Sequence, residues 1–169
     1  MYPTTPCPPA DSLLDQLRAE ETLLGETLVC LTGLTDALRR GDLAAVHAAR
    51  PRMESQAAAL ADRARCRTAA ATSVAAAIGL PAANLTLAIL AGHLPDPTAA
   101  GLLAARDRLA NLVAKIAEYQ RWNANLIRHL RSYFRGVMAV LAAADAPIRY
   151  GPSGANLALR AGAMIQVRG

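Results

Sequence analysis

Leu102, Leu109, Ile116, Asn123, Leu130 and Val137 recur every seven residues, and Ala105, Leu112, Tyr119, Leu126, Tyr133 and Val140 follow three residues behind. No other feature constrains the chain as tightly. Rows spaced in this way share one face of an α-helix, and an apolar face of that length requires another helix along it. The spacing predicts one long helix, opened by Asp96-Pro97, where an aspartate cap precedes a proline in the first turn, and closed near Asp145-Ala146-Pro147. Asn123 is the one side chain in these rows that brings an amide. It either fixes the register of the helices at some cost in stability or lies at the solvent edge of an imperfect stripe.

Two further helices precede this one. Ser12-Leu13-Leu14-Asp15 matches a capping box and predicts a helix start. Leu17, Leu24, Leu31 and Leu38 then repeat by sevens, with Leu14, Glu21, Leu28 and Thr35 in the intervening row. Arg39-Arg40-Gly41 should end that helix, since basic side chains suit the terminal carbonyls and glycine accepts a positive φ. Asp42 immediately caps the next helix, and so tight a turn makes the two antiparallel neighbours. The second helix has a weaker repeat of Val46, Met53, Leu60, Arg67 and Val74, with Ala57, Ala64, Ala71 and Ile78 between. Pro51 within it predicts a kink or a fresh start at Arg50. Gly79-Leu80-Pro81 stops it, and a short apolar cross-piece from Leu85 to Ala91 leads to the long helix.

The expected fold is therefore all-α: an elongated antiparallel bundle or coiled-coil hairpin of three long helices, with a short cross-piece and a flexible C-terminal tail. Aromatic residues make up 4% of the chain, so leucine and alanine must form the core, and no run of β-branched residues favours a sheet. The organisation reads as a flexible proline-rich lead over 1–10, a helical domain over 11–145 and a tail over 146–169.

A net charge of +5 admits nucleic acid or an acidic membrane as partner. Lys115 is the one lysine among 18 basic residues, an arginine bias that a GC-rich genome also produces. Acids gather early (Asp11, Asp15, Glu20, Glu21, Glu26, Asp36) and arginines late (Arg106, Arg108, Arg121, Arg128, Arg131, Arg135), so an acidic first helix should lie against a basic last one. No aromatic residues interleave with the arginines as single-strand binding requires, and no nucleic-acid partner is expected. The stretch from Arg67 to Asp96 has no charge between its ends, but alanine contributes little to insertion and Gly79 and Pro81 break it. No stable membrane insertion is expected.

Cys7, Cys30 and Cys66 form neither a CxxC nor a zinc pattern, which points to a reducing compartment. Cys30 reads as a small buried hydrophobe. The Met1–Pro9 segment has neither a basic nor an apolar signal region, so a secretory leader is not expected. His47, His93 and His129 fall on three different elements, and neither a dinucleotide fingerprint nor a phosphate loop occurs. Neither catalysis nor a cofactor is expected, and a solvated position accounts for His129 better than a phosphotransfer role.

Beyond Gln120 the apolar stripe widens, with Ile127, Phe134 and Leu141 forming a third row beside the seam and Met138 adding to it. Two facing helices need only a narrow stripe. The surplus either meets the first helix or the cross-piece, or forms a groove for an apolar helix of another protein. After Pro147 come Tyr150, Gly151 and Gly154, then apolar residues with Arg149, Arg160 and Arg168, a composition that can fold on meeting a partner.

Three stretches together resemble the FlgN family of flagellar export chaperones. They are Ala37-Leu38-Arg39-Arg40-Gly41-Asp42-Leu43 between two long helices, Trp122-Asn123-Ala124-Asn125-Leu126-Ile127 within the long helix, and Tyr150-Gly151-Pro152-Ser153-Gly154. The resemblance implies a cytoplasmic helical chaperone, not an enzyme, that keeps the hook-filament junction proteins FlgK and FlgL soluble and delivers them to the type III export gate. It also implies a cargo-holding surface on the long helix, read here as Asn123, Leu126, Ile127, Leu130, Tyr133, Phe134, Val137, Met138 and Leu141. Tyr150, with Gly151 and Gly154, resembles the family's gate-docking element. Pro51, the cross-piece and the proline-rich lead depart from the family pattern. A coiled-coil scaffold or homodimer, using the same rows on itself, is the alternative.

Overall fold

A computed structural model of the chain describes residues 8–81, 83 and 85–144. Its elements, in chain order, are α1 (Pro8–Arg40), α2 (Leu43–Ala77), α3 (Leu87–Ala91) and α4 (Asp96–Ala144), and no strand occurs among the described residues. The chain divides into two compact units, Met1–Leu126 and Ile127–Gly169, with α4 contributing to both.

The first unit is a three-helix bundle. Leu17, Leu24, Leu31 and Leu38, the heptad leucines of α1, are all buried, together with Leu13 and Ala10. Ala10, Leu13, Leu17, Leu24 and Leu31 meet Leu102, Ala105, Leu109 and Ile116 of α4, and Val74 and Ala75 of α2, in a single core to which Leu90 and Ala91 of α3 also belong. Burying one such leucine stabilises the fold by about 1.5–3 kcal/mol. Contacts along α1 and α4 advance together: Leu14 lies beside Gly101, Glu21 accepts from Arg108 and Thr35 meets Asn123. The two helices therefore run parallel, while α2 returns between them in sequence. At Gly101 an added Cβ would stand 3.5 Å from the Leu14 side chain. That is ordinary van der Waals contact, so an alanine would fit there too.

Both long connections close as the residues dictate. Gly41 adopts φ +68°, with its N–H on the Leu38 carbonyl (3.2 Å) and that of Asp42 on Ala37 (2.9 Å). The Asp42 carboxylate then accepts from the Ala45 N–H at 2.9 Å, so one residue ends α1 and caps α2. Gly79 repeats the closure at φ +74°, its N–H reaching Ala76 (3.2 Å) and the Leu80 N–H reaching Ala75 (2.8 Å). Thr86 caps α3 through a 3.2 Å bond from the Ile89 N–H.

Three local expectations shift. α1 begins at Pro8, so Ser12 lies inside the helix and is not its cap. Prolines at the first helical positions lack only N–H groups that have no intrahelical partner, which is why Pro8 and Pro9 can open the helix. α2 runs unbroken from Leu43 to Ala77 with Pro51 inside it, so no fresh helix starts at Arg50. At the head of α4 the Pro95 carbonyl takes the Ala99 N–H (2.9 Å), which places Asp96 in the first turn, one residue past the expected cap position.

Glu21 of the acidic α1 pairs with Arg108 of α4 at 2.8 Å. Glu20 turns instead to Arg67 of α2. Asp15 pairs with Arg18 on its own helix, as Arg106 does with the adjacent Asp107. The leucine seams, buried along both helices, carry the association.

Candidate interaction surface

The seam of α4 changes character along its length. Leu102, Leu109, Ile116 and Asn123 are buried, Leu112 and Tyr119 are half-buried against the core of the first unit, and Leu126 is half-buried. In the second unit the same rows continue through half-buried Leu130 to Tyr133, Val137 and Val140, all exposed. Helix formation continues there because leucine, methionine, arginine and alanine dominate, and between Ile127 and Ala144 Gly136 is the one glycine and there is no proline.

The exposure is large. Tyr133 is 66% exposed, Met138 64%, Val140 68%, and Phe134 and Leu141 more than half. Ile127 and Val137 are less so. At 100° per residue these side chains, with Leu130, cover an arc of about 160° of the helix. Tyr133 and Phe134 meet edge to face with ring centroids 5.8 Å apart. Beside them Ser132 and Gly136 leave a shallow concavity whose apolar wall is Tyr133, Val137, Val140 and Leu141. Glycine supplies the depth, because any side chain at 136 would fill it.

Asn123 belongs to the other unit and to another task. It is 3% exposed, and its Nδ2 donates to the Leu31 carbonyl at 3.1 Å. The Thr35 hydroxyl lies 2.8 Å from its Oδ1 and 2.9 Å from the same Leu31 carbonyl. With Nδ2 serving the carbonyl, the single hydroxyl proton is left for Oδ1. Of the two sequence readings, the buried one is observed: the amide sits inside the bundle and ties α4 to α1. Leu126, also in the first unit, is half-buried. The available surface therefore begins at Ile127. Tyr150, Gly151 and Gly154 lie outside the described residues.

Sequence reasoning overlooked two participants. Thr35 is a polar break in the α1 rows, and two polar breaks on facing seams are a signal that they pair. Val140 has a place in the seam row by its spacing, and it is the most exposed of the large apolar residues.

His47, His93 and His129 are all exposed, and among the described residues no three His, Cys, Asp or Glu side chains gather as a metal site. Cys30 is buried and Cys66 exposed. No described helix is long and apolar enough to cross a membrane.

An all-α bundle with an exposed apolar face on its last helix is the class these features define. The chain belongs to the FlgN family: the family model, described as FlgN protein, matches residues 9–158. Membership gives a flagellar export chaperone role, and the match covers all four helices and the segment with Tyr150, Gly151 and Gly154. Comparisons with curated proteins and with solved structures return no match.

Proposed function

We propose that the face from Ile127 to Leu141 holds the carboxy-terminal helical region of the hook-filament junction proteins FlgK and FlgL in the cytoplasm, before their export. One observation carries the reading: the heptad rows that close the bundle at Leu109 and Ile116 continue into exposed Tyr133, Val137 and Val140, flanked by Phe134, Met138 and Leu141. A seam without its facing helix matches a cargo helix that itself lacks a facing helix until assembly. Covering that stripe prevents premature association. Tyr150, Gly151 and Gly154 then serve as a separate docking element for the export gate.

The deciding experiment is pull-down of the full chain with carboxy-terminal fragments of FlgK and FlgL from the same organism. Capture of either supports the assignment, and failure with both sinks it. Tyr150→Ala should leave fragment capture unchanged while reducing secretion of the cargo. Loss of capture in that variant would show that holding and docking are not separate.

A further inference from the structure

Beside the apolar arc runs a charge pattern that helix holding alone does not use. Arg128, Arg131 and Arg135 are exposed and share one side of α4, next to the edge formed by Ile127 and Met138. The chain has no acidic residue between Glu118 and Asp145, so neither Arg131 nor Arg135 has a carboxylate three or four positions away on its own helix. Among the described residues neither enters an ion pair. Arg131 and Arg135, four positions apart, are like charges at a spacing that destabilises a helix.

Covering segments from this protein would not supply the missing charge. After Asp145 the sequence contains Arg149, Arg160 and Arg168 and no acid. A second copy presenting the same face would set arginine against arginine, a juxtaposition that opposes association. Resting on the reading that this face holds a helix, we infer that the partner helix is amphipathic with acidic residues along one edge of its apolar stripe. Its apolar residues pack on Ile127, Phe134 and Met138, the side of the arc next to the arginines, while its carboxylates meet Arg131 and Arg135.

The test uses the full chain and two designed peptides of about six helical turns. They share one leucine stripe and differ only in glutamate or lysine along one edge. The glutamate peptide should bind about tenfold more tightly in about 50 mM salt, with the ratio falling toward one in about 0.5 M salt. Arg131→Glu with Arg135→Glu should reverse the preference and leave the thermal midpoint unchanged, as both side chains are exposed. Equal binding of the two peptides overturns the acidic edge but leaves the apolar face standing. Binding of neither overturns both. Sedimentation with phosphatidylglycerol vesicles that the double variant loses, alongside equal peptide affinities, assigns the arginines to a membrane and overturns the proposal.

Discussion

Asn123 and Thr35 form a polar contact inside a seam otherwise built from leucine, isoleucine and alanine, and its worth depends on both partners being present. Removing one partner leaves a buried polar group unsatisfied, whereas removing both need not. Asn123→Ala should therefore destabilise the bundle by about 1–3 kcal/mol in urea titrations. Asn123→Leu combined with Thr35→Val should lie within about 1 kcal/mol of the unaltered chain. If the double variant loses as much as the sum of the single ones, the contact is not coupled as the geometry indicates. Glu20 follows related logic: its carboxylate is buried, one oxygen is paired with Arg67, and the other has no hydrogen-bond partner. The Glu20–Arg67 pair accordingly fixes α2 on α1 more by geometry than by net stability.

At the scale of elements, punctuation rather than propensity decided where the helices end. Gly41 and Gly79 occupy left-handed conformations that end α1 and α2, and both stops were legible because glycine after a basic or apolar helix end has a mechanical reason. Gly41→Ala should cost about 1 kcal/mol, read as a lower denaturation midpoint. Gly25, inside α1 with nothing within 4 Å of an added Cβ, makes the contrast: Gly25→Ala should stabilise by about 0.5–1 kcal/mol. Equal effects of the two alanines would refute the conformational argument. The start of α1 was less legible, since Ser12 offers a capping box that Pro8 and Pro9 pre-empt. Of the two outcomes that Pro51 allowed, the fresh start does not occur: one lost hydrogen bond inside a 35-residue helix does not outweigh the remaining bonds and the packing of Val74 and Ala75.

Across the whole molecule the seam of α4 divides by role. Ile116→Ala empties a core position and should cost about 2–5 kcal/mol. Phe134→Ala with Leu141→Ala removes exposed side chains and should change stability by less than about 1 kcal/mol, while cargo capture falls. Thermal denaturation and pull-down on the same samples separate these outcomes, and unfolding of the double variant would place those residues in the core instead. Sequence alone determined that the chain is helical, where its turns fall and that its last helix carries a seam, because periodicity and capping act over a few neighbouring residues. It could not determine that Asn123 is an interior tie or that Tyr133 and Val140 are surface. Leu109 and Val137 occupy the same heptad row, and only the three-dimensional packing, which buries one of them and leaves the other exposed, distinguishes core from surface.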